Sequence, residues 1–230
     1  NLVYMGGVAL NCVANSTVVS KIYDNIWIMP SPGDSGSSLG AACAAYGKHV
    51  NWQGPFLGTN IGNEYPIDKL MATLLEEKIV GVANGRSEFG PRALGNRSLL
   101  ADPRGPEIKD KVNEIKRRQK FRPFAPAIME EHAHEYFDMP VDRVPYMQFI
   151  AECKKPDQFP AICHVDNTSR VQTVSEKDNP GFYKLLSEFY DKTGCPMLLN
   201  TSLNIKGQPI VNSVSDAEDF QSHYNVKVHI

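Results

Sequence analysis

Residues Gly85 to Arg104 read GRSEFGPRALGNRSLLADPR and follow directly on the apolar run KIVGVANG. No other junction constrains the chain as much. A short buried strand ends, and the stretch at its mouth carries Arg86, Arg92, Arg97 and Arg104 among glycines and prolines. Guanidinium groups crowded there call for an anion, since each planar fork donates two parallel hydrogen bonds to a phosphate. From Gly85 to Arg122 eleven lysines and arginines stand against five acids, a surplus of +6 in a chain whose net charge is −2. The positive field is therefore local. It suits a small anion rather than a long polyanion, and neither nucleic acid nor a membrane surface is an expected partner. Lys109 and Lys111 read more simply as the solvated face of a helix.

With hydrophobic residues at 42% and charged residues at 22% of 230, the composition is that of one large globular domain or two small ones. No apolar run approaches a membrane span, and no signal-peptide pattern opens the chain. Cys12, Cys43, Cys153, Cys163 and Cys195 are odd in number and scattered. They make neither a disulfide framework nor a CxxC pair, so a reducing cytoplasm is the expected location. The opening NLVYMGGVALN has no methionine and reads as the middle of a longer protein.

Periodicity predicts a strand at NLVYMGG, a helix from Val8 with Cys12, Val19 and Ile22 on one apolar stripe, a strand at NIWIMP, and a tightly packed helix closed near Gly47. NWQGPFLGTNIGNEYP has no period and reads as a linker over residues 51–65, between a unit at 1–50 and a unit at 66–230. In the second unit, Ile67, Leu70, Met71, Leu74 and Leu75 follow helical spacing, and IVGVANG is a buried strand. GPEIKDKVNEIKRRQ reads as an amphipathic helix. FRPFAPAIM, YMQFIAEC, AICHVD, RVQTVS and CPMLLN read as strands. Asn179, Pro180 and Gly194 bracket a helix whose inner face is Phe182, Leu185, Leu186 and Phe189. Ser215 to Glu218 suggest a capping box.

Two further stretches carry polar chemistry. LLNTSLNIKGQPIV places Asn200, Ser202 and Asn204 directly after an apolar strand, where such groups can hold phosphate oxygens or a carbonyl; a polar turn is the equal alternative. GGVALN and SPGDSGS put glycine turns after two strands, with Asp34 between glycines. A carboxylate there could face a metal, although a lone loop Asp is usually a turn former. The histidines have no metal-ligand spacing, and His132 and His134 read as surface residues.

GGVALNCVANS, PSPGDSGSSLGAA, GRSEFGPRALGNRSLLADPR, KFRPFAPAI and LLNTSLNIKGQPIV together resemble, in the same order, the NodU/CmcH family of O-carbamoyltransferases. The resemblance implies an α/β chain: the end of an actin/Hsp70-like (ASKHA) transferase domain, then a YrdC-like domain with a mixed twisted sheet. KRRQKFRPFAP and NTSLNIKGQP carry the YrdC likeness by themselves. It implies that carbamoyl phosphate and ATP, with Mg2+, form carbamoyl adenylate in the YrdC-like part. The carbamoyl group then passes to a hydroxyl of a sugar or natural product in the other part, where Fe2+ is held. By motif position it implies catalytic roles for Arg92, Arg97 and Ser98. Nucleotide and carbamate binding falls to Lys116, Arg117, Arg122, Asn200, Ser202 and Asn204, a nucleotide-facing turn to Gly6, Gly7 and Asn11, and a metal ligand to Asp34. The paired histidines that complete such a metal site are absent here, and a homodimer is possible. Two rival readings stay open: a threonylcarbamoyl-adenylate synthase that modifies tRNA, and a nucleotide-binding module without turnover.

Overall fold

The computed structural model describes residues 1–62 and 64–230; position 63, inside the expected linker, lies outside the described residues. In chain order the first elements are β1 (Leu2–Tyr4), α1 (Cys12–Thr17), β2 (Ile26–Ile28), α2 (Ser37–Tyr46), β3 (Phe56–Ile61), α3 (Ile67–Glu77), β4 (Ile79–Ala83), β5 (Gly85–Glu88), β6 (Arg97–Ala101) and α4 (Ile108–Ile115). There follow β7 (Ala125–Met129), α5 (Ala133–Tyr136), β8 (Phe137–Asp138), β9 (Ala151–Cys153), β10 (Thr168–Ser169), β11 (Gln172–Val174), α6 (Pro180–Thr193), β12 (Met197–Ser202), α7 (Val214–Tyr224) and β13 (Val228–His229).

The class is mixed α/β. Six strands form the central sheet in the order β11-β7-β12-β6-β4-β13. The four inner strands run antiparallel to one another, and β11 and β13 are added parallel at the edges. Helices α3 and α6 cover the sheet with the predicted apolar faces: Leu70, Met71 and Leu74 on one, Phe182, Leu185, Leu186 and Phe189 on the other. Their local signals explain them. The Asn179 side chain accepts from the Phe182 N–H, Pro180 occupies the first turn, and Gly194 closes α6 in a left-handed conformation at φ 69°.

Several expectations are corrected. The stretch read as a linker contains β3, which pairs antiparallel with β5 from Phe56↔Glu88 to Ile61↔Gly85. Its period is hidden because Gly58 lies against Ser87; a Cβ there would sit 2.0 Å from the Ser87 hydroxyl. AICHVD is a turn, with the His164 N–H bonded to the Thr168 carbonyl. YMQFIAEC becomes strand only at Ala151, because the residues before it face another partner. The Ile150 N–H donates to Ser16 Oγ at 2.8 Å, and the Gln148 carbonyl accepts from Asn15 Nδ2 at 2.9 Å. The capping box uses Ser213 and Asp216, two residues before the expected pair; Asp216 reaches back to the N–H groups of both Asn212 and Ser213.

The first fifty residues dock on this body through Ala9 and Ile28, packed with Val144 and Phe149. Gln148 Nε2 reinforces the contact by donating to the Ile28 carbonyl at 2.6 Å. The apolar stripe expected there is not an inner face: Val8 is 68% and Ile22 66% exposed. Likewise α2 buries none of its residues, although its small side chains read as tightly packed. At the other end, the carboxyl-terminal tail supplies β13, paired with β4 at Val228↔Gly81. Gly81 permits this approach, since a Cβ there would lie 2.8 Å from Val228 Cγ2.

Candidate functional site

Loop 89–96 joins β5 to β6 and presents Arg92. Two glycines shape it. Gly90 has φ 143°, and a Cβ on it would lie 2.6 Å from the Pro30 carbonyl oxygen; Gly95 has φ 121°, with Phe182 Cδ1 2.5 Å from the same point. Only glycine combines that backbone with that closeness. The loop is thereby wedged between the amino-terminal segment and α6.

Beside it opens a cavity of about 470 Å³. Its wall takes Cys12 and Val13 from α1, Arg92 and Ala93 from the loop, Arg118 and Arg122 from the segment before β7, His164, Asp166 and Arg170 around β10, and Asn200 to Ser202 from the end of β12. Four arginines therefore line one space. Among the described residues none of the four is in an ion pair. Arg118 donates from Nε to Asn113 Oδ1 at 2.8 Å and stacks 4.1 Å over the Phe124 ring, which aims its remaining N–H groups. Burial and then repulsion from Arg170 bring Arg92 down to about 10. Burial and the charges of Arg122 and Arg170 bring Arg118 to about 10 as well. Such unrelieved repulsion is what a bound anion would remove. At the wall, Asn200 donates from Nδ2 to the Ala93 carbonyl at 3.1 Å and to Gln172 Oε1 at 2.7 Å, which fixes the amide's orientation. Its Oδ1 is buried and has no partner among the described residues.

The expected site residues divide. Arg92, Arg122, Asn200 and Ser202 come together on the cavity. Arg97 does not. Its side chain is fully buried, and its guanidinium donates to the carbonyls of Thr59, Asn84, Gly85, Asn96 and Asn212. It clamps backbone and has no fork left for phosphate. Ser98 is also fully buried, and its hydroxyl accepts from the Gly95 N–H at 3.0 Å, holding the loop from below. Arg117, with φ 51°, points away to the Tyr224 ring at 5.4 Å. Asn204 faces a second cavity of about 440 Å³ beside α7.

Lys116 links the two sides. Its ammonium donates to the Ser202 carbonyl, to Ser202 Oγ at 3.1 Å and to Asn204 Oδ1 at 2.7 Å, so all three donors hold the turn after β12. Burial, and then the charge of Arg118, lowers it to about 7. In the unfolded chain it titrates near ~10.4. Between those values the unfolded chain holds a proton that the folded chain has lost, so this group adds stability as pH rises from about 7 and loses it as pH falls back. Urea titrations of wild type and Lys116→Met at several pH values should show that rise in wild type only; parallel profiles would refute the assignment.

Asn11 caps α1, its side chain accepting from the Ala14 N–H at 3.1 Å, and is exposed. The Gly6 N–H donates to the Pro32 carbonyl at 2.7 Å, so the two glycine turns do adjoin, although Gly6, Gly7 and Asp34 lie open to solvent. Among the described residues no cluster of three metal-ligating side chains exists, and a single exposed carboxylate does not make an iron site. Arg118 and Arg170 escaped the sequence reading. The signal for Arg118 was the alternation of basic residues in KRRQKFR. For Arg170 it was a charge at the head of an otherwise buried strand.

Comparison with known proteins gives the family. The profile of the carbamoyltransferase C-terminus matches residues 71–230, and that of the carbamoyltransferase N-terminus matches residues 1–43. The chain belongs to the carbamoyltransferase family. Nodulation protein NolO of Bradyrhizobium diazoefficiens is 40% identical over 92% of this chain and 44% of its own length. Nodulation protein U of Sinorhizobium fredii is 38% identical over 94% of this chain and 42% of its own. Nodulation protein NolNO of the same organism is 38% identical over 92% of this chain and 36% of its own. The chain thus spans less than half the length of these relatives. No helix is long and apolar enough to cross a membrane, among the described residues.

Proposed function

We propose that this chain carries the carbamoyl phosphate- and ATP-binding part of an O-carbamoyltransferase, in which carbamoyl adenylate forms before the carbamoyl group passes to an acceptor hydroxyl. The observation that carries the reading is the set of four arginines on one cavity, with no carboxylate paired to them among the described residues. Carbamoyl phosphate and ATP are both polyanions, and bringing them into contact costs repulsion that fixed positive charge offsets. Mg2+ would arrive on the ATP phosphates. The carbamoyl end is uncharged and carries an NH2 group. Ser202 and Asn200 supply uncharged hydrogen-bonding groups on the same wall. Carbamate decomposes readily in water, so a recessed cavity serves its formation and use. The acceptor belongs to the sugar or natural-product class implied by the family.

The reading is tested by adding carbamoyl phosphate, ATP and Mg2+ to the purified chain and measuring pyrophosphate. Release that needs both substrates is expected. Binding of ATP without release, in this chain and in one extended to the length of its relatives, would favour the non-catalytic module instead.

A further inference from the structure

We propose that Glu88 is the positioning residue of the Arg92 loop, a carboxylate nest that sets where the Arg92 guanidinium stands in the cavity. A single oxygen, Glu88 Oε1, accepts from three backbone N–H groups: Leu94 at 2.7 Å, Asn96 at 2.9 Å and Arg97 at 3.2 Å. The residue sits at the end of β5, and the groups it gathers lie on the far limb of the same loop, just past Arg92. The loop therefore closes on the residue just before it. Its other ties all lie outside the Arg92 peptide. The Phe89 N–H bonds the Pro55 carbonyl at 2.7 Å, and the Ala93 and Leu94 carbonyls accept from Asn200 and Gln172. Tyr65 adds its hydroxyl to the Gly95 carbonyl at 2.8 Å.

The chemistry explains why an acid stands in so basic a segment. Three converging N–H dipoles need an acceptor, and water cannot supply one with fixed geometry. Burial pushes the Glu88 carboxyl upward while the N–H bonds from Leu94, Asn96 and Arg97 pull it back. A carboxylate with that many backbone partners is a structural anion. It does not line the cavity, so its influence on an anionic ligand runs through the loop.

The inference rests on the anion-binding reading of the cavity. Its test uses carbamoyl phosphate titrated calorimetrically into the whole chain, with Glu88→Gln, Glu88→Asp and Glu88→Ala, and amide exchange followed in parallel. Glutamine keeps the reach and an acceptor oxygen but loses the charge; aspartate keeps the charge but withdraws it by one methylene. Positioning predicts that Glu88→Gln binds within about threefold of wild type, while Glu88→Asp binds at least about tenfold more weakly and exchanges the Leu94, Asn96 and Arg97 amides faster. The alanine variant should follow aspartate if it folds. Wild-type affinity in Glu88→Asp, even with a lower melting temperature, would reduce Glu88 to a stability role and overturn the proposal. So would unchanged exchange at all three amides. If wild type binds no carbamoyl phosphate, the anion reading fails by itself, and amide exchange in Glu88→Asp still decides whether this carboxylate orders the loop.

Discussion

Arg97→Met is expected to destabilise the fold by roughly 1–3 kcal/mol, rather than simply to weaken a ligand, because it removes the donor from buried backbone carbonyls. The guanidinium draws together β3, the β4–β5 junction and the segment before α7 by donating to carbonyls in each. Methionine has a similar length but no donor. The Asn84 carbonyl, which receives Arg97 at 2.9 Å in a buried bond, would lose that donor, and a buried acceptor left unsatisfied costs about 1–3 kcal/mol. Urea denaturation of the two proteins at one pH measures the difference. A methionine variant as stable as wild type but unable to bind carbamoyl phosphate would restore Arg97 to the ligand.

The second large effect has the opposite character. Arg92→Ala and Arg170→Ala should each weaken carbamoyl phosphate binding by about 1.5–3 kcal/mol, the range for hydrogen bonds to charged groups. The pair together should abolish measurable binding. Stability should hold or rise. Burial depresses both guanidinium groups, and for Arg92 the charge of Arg170 adds to it, so removing either relieves repulsion in the ligand-free protein. Arg117→Ala, which faces the Tyr224 ring and not the cavity, serves as the control and should bind normally. Calorimetry gives the affinities and thermal melts the stabilities. Unchanged affinity in both single variants would remove the anion site; a large loss of stability in either would mean that these arginines hold the fold, as Arg97 does. Binding energy stored as like-charge repulsion is a common form of the compromise between stability and function.

These two cases show why arginines in one stretch of sequence divide so differently. Arg92 and Arg97 are five residues apart, and each lies two residues after a glycine. What separates them is strand pairing. Arg97 is the first residue of β6, opposite Ala83 of β4, so its side chain enters the body of the domain under the β3–β5 pair. Arg92 stands in the loop before that pairing begins, and its side chain is left for the cavity. Asn204 makes the same point from the other limb. It lies two residues beyond Ser202 on the same polar turn, yet Lys116 and Ser202 hold its Oδ1 while its far side meets another cavity.

The sequence by itself determined the elements whose causes are local: α6 with its Asn179 cap, Pro180 and Gly194; the apolar face of α3; the buried strands β4 and β12; and the charge surplus between Gly85 and Arg122. Ordered motifs also carried the family. Each of these depends on residues a few positions apart, where capping, spacing and turn preference act. Only the tertiary structure decided that β3 exists, that the tail becomes an edge strand, and that Arg170 joins Arg92 and Arg118. β3 is irregular where it passes Ser87, β13 is two residues long, and Arg170 reaches the cavity through the parallel pairing of β11 with β7. Whether a charge becomes a clamp or a ligand group is settled by which carbonyls or empty space the packed sheet brings within hydrogen-bond reach, and such neighbours are chosen by contacts between residues far apart in the chain.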